Sequence, residues 1–126
     1  MSVPNNLKYT KEHEWILVEG NIATIGVTDY AQSELGDVVF VDIDPAISDI
    51  KKGESIGTIE AVKTVSDIFA PFSGKVTEIN EALNNSPETV NSDPYGTGWM
   101  LKVEISDMSE LTDLLDSAAY QSLIGQ

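Results

Sequence analysis

The chain has 126 residues, with seven basic side chains against 21 acidic ones, a formal net charge of −14 and no cysteine. At this length a single domain over 1–126 is expected, able to bury roughly two-thirds of its unfolded surface without disulfide or metal staples. So acidic a chain repels phosphate backbones and anionic lipid, so nucleic acid and membrane are poor partners, and with no thiol any redox chemistry must come from an attached group.

The hydrophobic content of 41% argues against disorder. No apolar run is long enough to cross a bilayer, and residues 1–6 lack both the apolar core of a signal peptide and the arginines of a transit peptide. A cytoplasmic protein is expected, with a processed organellar form bearing an added Met1 as the alternative.

Taken in order, 8–10 leads into 14–19, a strand by its β-branched and aromatic content. Gly20-Asn21 signals a turn, and 22–27 returns as the second strand of a hairpin. Residues 28–36 predict a short helix with Thr28 or Asp29 as N-cap, capping-box spacing between Asp29 and Gln32, and Gly36 just past its end. A strand over 38–43 follows, ended by Asp44-Pro45, and 47–52 reads as a connecting loop.

The stretch 53–74 is the most informative. Two β-type runs, 54–59 and 65–69, are separated by too few residues for a crossover and must pair as a hairpin with Lys63 at its tip. The tip, Ala61-Val62-Lys63-Thr64, lacks the Asn-Gly or Asp-Gly of a tight turn and has two β-branched residues, so turn propensity did not choose it. A lysine projecting there suits an enzyme that forms an amide on it to attach a prosthetic group. Most hairpin lysines are simply solvated; here the neighbours argue otherwise. Gly53 and Gly74 fit turn positions leading into and out of the hairpin.

Beyond it, 75–80 predicts a strand and 86–91 a short helix with Ser86 as N-cap and Pro87 at the first position. Residues 99–105 form a period-two strand with Trp99, Leu101, Val103 and Ile105 on one face. A closing helix over 108–120, started by Ser106 or Asp107, carries a stripe of Met108, Leu111, Leu114, Leu115 and Ala118 that packs on its own sheet or binds a partner. His13 is the only histidine, which rules out a histidine metal cluster and leaves it structural or at the rim of a site. Catalytic equipment is missing: there is no Ser-His-Asp set, cysteine nucleophile or phosphate-cradling loop, and acids such as Asp42 and Asp44 are expected to be solvated.

Glu60-Ala61-Val62-Lys63, with the flanking glycines and Ala70-Pro71-x-Ser73-Gly74, resembles the lipoyl-lysine hairpin. Biotin carriers usually flank their lysine with methionine, and lipoyl domains of 2-oxoacid dehydrogenases usually place an acid directly before it. Val62 and Thr64 stand in those places here. Tyr9-Thr10-Lys11-Glu12-His13-Glu14-Trp15, the capped helix and strand within 26–41, and the segment 83–99 are similar to the H proteins of the glycine cleavage system.

That resemblance, spanning about 7–115, implies a mainly β protein, a flattened antiparallel β-sandwich of the lipoyl/biotinyl carrier type with short helices and a C-terminal helix. It implies a monomeric, non-catalytic carrier with lipoate in amide linkage to Lys63. The partners it implies are the pyridoxal-phosphate glycine decarboxylase, the tetrahydrofolate-dependent aminomethyltransferase, dihydrolipoamide dehydrogenase and a lipoyl ligase or transferase. Glu60, Val62 and Thr64 would surround the attachment point, Thr64 standing where alanine is common. Glu14, His13 and Asp67 would border the cleft receiving the arm, the acids holding its cationic amine unless they are merely solvated. An H-like protein relaying lipoyl groups to other complexes is the alternative reading, and a biotin carrier a more distant one.

Overall fold

The computed structural model describes residues 2–126. Its larger sheet has six antiparallel strands in the order β1 (Lys8–Tyr9), β2 (Glu14–Glu19), β3 (Ile22–Val27), β9 (Leu101–Ile105), β8 (Gly74–Ile79) and β5 (Asp49–Ile50). A smaller sheet has three, β4 (Val38–Asp42), β6 (Ser55–Ala61) and β7 (Val65–Phe69), with β6 in the middle. The core between them is mainly aliphatic, with Ile16, Ile25, Leu101 and Val103 from one sheet and Val41, Ile59 and Ile68 from the other. Period-two alternation puts Ile59 and Ala61 inside while Thr58 and Glu60 face outward.

Helix α1 (Asp29–Leu35) joins β3 to β4. Thr28, rather than Asp29, is its N-cap and accepts from the Ala31 N–H; Asp29 and Gln32 bond each other instead, Gln32 Nε2 donating at 2.7 Å.

Several expectations are corrected. The loop expected over 47–52 contains β5, two residues paired with Lys75 and Gly74. Gly74 opens β8 and is not a turn residue: a Cβ there would lie 2.4 Å from the Glu104 carbonyl oxygen of β9, so close strand approach requires the glycine. Ser86 is not an N-cap. A 3₁₀ turn, Glu81–Asn84, capped by Asn80, precedes it, and α2 (Thr89–Ser92) begins later. Trp99 lies outside β9 and is only partly buried.

The long closing helix is two pieces. A 3₁₀ turn, Met108–Asp113, ends where Leu115 pairs with Tyr9 through two 2.8 Å backbone hydrogen bonds, and α3 (Ser117–Leu123) then starts from its own cap, Asp116. Its stripe is therefore broken: Met108 and Ala118 are exposed, while Leu111 and Leu114 pack on the main core and Leu115 on a second cluster built round Tyr9, Trp15 and Tyr120. Strand pairing to Tyr9 outcompetes helix continuation because it satisfies two otherwise solvent-bound backbone groups beside an aromatic cluster.

Candidate functional site

Lys63 stands exposed at the tip of the β6–β7 hairpin between exposed Val62 and Thr64. Hydrogen bonds replace the missing turn chemistry: Ala61 N–H donates to the Thr64 carbonyl at 2.8 Å, and Val62 N–H donates to the Asp37 carbonyl at 3.0 Å. The tip is thus docked onto the turn between α1 and β4. That turn is held by Asn91 of α2, whose amide oxygen accepts from Val38 N–H at 2.8 Å while its nitrogen donates to the Gly36 carbonyl at 2.9 Å and to Gln32 Oε1 at 3.0 Å.

Gly36 has a further role. At φ 81° and ψ −159° it occupies backbone space nearly closed to other residues, and a Cβ there would sit 3.1 Å from Cε of Lys63. The lysine stem lies across this glycine. Leu35 and Thr64, the chain neighbours of Gly36 and Lys63, both line a cleft of about 390 Å³ between α1, β7 and the 12–14 segment.

Four carboxylate side chains line that cleft, Glu12, Glu14, Glu34 and Asp67, together with His13, Tyr30 and apolar Val27, Leu35 and Ile59. Lys63 itself is not among the lining residues, and neither are Val62 and Glu60; Glu60 pairs with Phe40 and Val65 on the outer face. Asp67 is exposed, and its carboxylate accepts from Ser55 Oγ at 3.3 Å. Glu14 is nearly inaccessible at 2% exposure. Its Oε1 accepts from Thr10 Oγ1 at 2.6 Å and its Oε2 from Phe69 N–H at 3.2 Å, joining the two sheets. Burial pushes its pKa up to about 7, partly opposed by those two hydrogen bonds. Near neutrality it is poised between neutral acid and anion, and a cation entering the cleft would stabilise the anion.

His13 borders the same cleft and adopts φ 69°, the only described non-glycine residue with positive φ. Burial lowers its pKa, with Glu12 and Glu34 acting the other way. Sequence reasoning missed Gly36 as a seat for the lysine, the cleft residues Tyr30 and Glu34, and Tyr120 of α3, which reaches His13. It also missed the apolar collar at the tip: Phe40 is 42% exposed and Val65 61%, beside Val62 at 75%. Only the exposure of large apolar side chains near one lysine marks such a collar, and exposure is not legible before the fold is known.

The cleft suits a flexible arm ending in a cation: apolar walls for a hydrocarbon stem, acids for the charge, and a lysine at the rim to which the arm can be joined. A two-sheet β-sandwich offering one lysine at a docked hairpin tip beside such a cleft is a carrier protein of the lipoyl- or biotinyl-bearing class. Comparison with known proteins narrows this. The family model for the glycine cleavage H-protein matches residues 7–126. A glycine cleavage system H protein of Staphylococcus haemolyticus (strain JCSC1435) is 56% identical over 126 residues, covering all of both chains. The crystal structure of a glycine cleavage system H protein from Mycobacterium marinum superposes with a TM-score of 0.89 at 36% identity, over 98% of this chain and all of that one. The chain belongs to the glycine cleavage H-protein family.

It is therefore a non-catalytic component of the glycine cleavage system, carrying lipoate in amide linkage to a lysine and shuttling the aminomethyl group of glycine between the decarboxylase and the aminomethyltransferase. No helix among the described residues is long and apolar enough to cross a membrane.

Proposed function

We propose that Lys63 is the lysine that bears the lipoyl group and that the acidic cleft beside it receives the arm. The observation that carries the reading is the exposed Lys63 stem seated on Gly36 next to a cleft rich in carboxylates. When bound, lipoate supplies a disulfide that opens to a dithiol, and a sulfur on which a one-carbon unit can ride. The rest falls to the chain. The Val62–Asp37 hydrogen bond and the Asn91 clamp hold the tip in place. Asp67 and ionised Glu14 offer a cation charge-assisted acceptors, roughly twice as strong as neutral ones. Val27, Leu35 and Ile59 give the cleft apolar lining against which a hydrocarbon stem can pack.

In the same reading, residues 1–126 act as one monomeric carrier domain in the cytoplasm, visited in turn by glycine decarboxylase, aminomethyltransferase, dihydrolipoamide dehydrogenase and a lipoyl ligase or transferase. Full-length likeness to a bacterial relative supports this. The outward, half-buried Glu60 is the charge next to the tip that a lipoylating enzyme would read.

Intact-mass measurement after incubation with lipoate, ATP and a lipoate ligase tests the attachment. One lipoyl addition is expected in the wild type, none in Lys63→Ala, and a slower addition with unchanged fold in Glu60→Ala. Modification at Lys75, or none at all, would overturn the assignment of Lys63.

A further inference from the structure

The C-terminal helix reaches the arm cleft through one hydroxyl. Tyr120 of α3 is fully buried and its ring stacks on Tyr9 with centroids 4.6 Å apart. Its Oη lies 2.7 Å from Thr28 Oγ1 and 2.8 Å from His13 Nδ1. Thr28 is also fully buried, and its Oγ1 already accepts from Ala31 N–H as the α1 cap.

Donor and acceptor accounting settles the direction of this chain. Among the described residues, Tyr120 Oη is the one acceptor in reach of the Thr28 hydroxyl hydrogen. Thr28 therefore donates to Tyr120, and Tyr120 donates to His13 Nδ1, because a buried hydroxyl hydrogen without an acceptor is costly. An imidazole that accepts at Nδ1 carries its proton on Nε2. Charging the ring would put a second proton on Nδ1, reverse the chain and strand the Thr28 hydrogen. Burial of His13 acts in the same direction, while Glu12 and Glu34 oppose it; the rings of Tyr30 and Tyr120 also face the imidazole.

We propose that Tyr120 is a positioning residue of the arm cleft, fixing His13 as a neutral imidazole whose Nε2–H is a hydrogen-bond donor for the arm. The inference rests on the reading that this cleft receives the arm. Among the described residues, Nε2 has no protein hydrogen-bond partner, and His13 borders a cleft whose charged groups are all carboxylates. Acids there serve a cation; the acceptor atoms of a lipoyl-lysine, the amide carbonyl foremost, need a donor. The positive φ of His13 supports a placed ring: the conformation is held by His13 N–H donating to the Thr10 carbonyl and Thr28 N–H donating to the His13 carbonyl.

His13 is the only histidine, so ¹⁵N NMR of the tag-free, unlipoylated protein reads one imidazole. At pH 7 the wild type should show one pyridine-type Nδ1 and one pyrrole-type Nε2 resonance; the opposite tautomer or an averaged pair overturns the proposal without any variant. Tyr120→Phe keeps the stacked ring and removes only the hydroxyl, and should give a mixture of tautomers. On lipoylated, aminomethyl-loaded protein, Tyr120→Phe and His13→Ala should both release formaldehyde several-fold faster than wild type. Faster release in Asp67→Asn and His13→Ala with wild-type release in Tyr120→Phe would overturn the role of Tyr120 and leave the cleft reading standing. Equal release in all of them would overturn the cleft reading itself.

Discussion

Glu14→Gln isolates the cost of keeping a carboxylate in the inner wall of the cleft. The folded chain holds the Glu14 proton up to about pH 7, whereas the ordinary value is 4.5, and burial is the main cause. Between those values the folded state binds more protons than the unfolded state, so this group's contribution to stability falls as pH rises through the window and levels off above 7. The span corresponds to about 3 kcal/mol at 1.36 kcal/mol per pKa unit. Glutamine preserves the shape: its amide oxygen accepts from Phe69 N–H as Glu14 Oε2 does. Its nitrogen donates to Thr10 Oγ1, the reverse of the bond in which the carboxylate accepts from that hydroxyl. Urea unfolding should find the two proteins close to equal at pH 4.5. By pH 8 the variant should be the more stable, its midpoint higher by about 1–2 M given ordinary urea slopes. A stability difference that does not change between pH 4.5 and 8 would refute the argument that Glu14 is held neutral by burial.

Two further variants probe the support beneath Lys63. Asn91→Ala leaves the buried Val38 N–H and the Gly36 carbonyl without their side-chain partner and should cost about 2–3 kcal/mol in chemical denaturation, whereas a loss below about 0.5 kcal/mol would show that the clamp is dispensable. Gly36→Ala places a side chain at φ 81° and 3.1 Å from the Lys63 stem. It should lose about 1–3 kcal/mol and slow lipoylation in the mass assay, and unchanged lipoylation would mean that the stem does not need its seat on Gly36.

Local chemistry made much of this protein readable before folding. The β2–β3 hairpin follows from Gly20-Asn21 between two β-branched runs, and α1 from a threonine cap and a terminal glycine, because these signals act over a few residues. The hairpin that presents Lys63 followed in the same way, from two short strands too close in sequence to do anything but pair.

Misreadings arose where a distant strand competed with a local preference. Helical spacing over 108–120 was real, but Leu115 found Tyr9, more than a hundred residues earlier, and the helix broke there. Gly74 looked like a turn because sequence does not show that β9 passes within contact of its Cα. Glu14 and Asp67 looked alike as two acids in a very acidic chain. Only the packing of β2 against the end of β7 buries Glu14 to 2% exposure and raises its pKa, while Asp67 stays in solvent. The cleft itself joins residues 12–14, 27–35 and 59–67, and Tyr120 joins His13 from the far end of the chain. Burial and long-range hydrogen bonding depend on which elements become neighbours, and that is a property of the whole fold, whereas caps, turns and the exposed lysine at a short hairpin's tip are properties of a few adjacent residues.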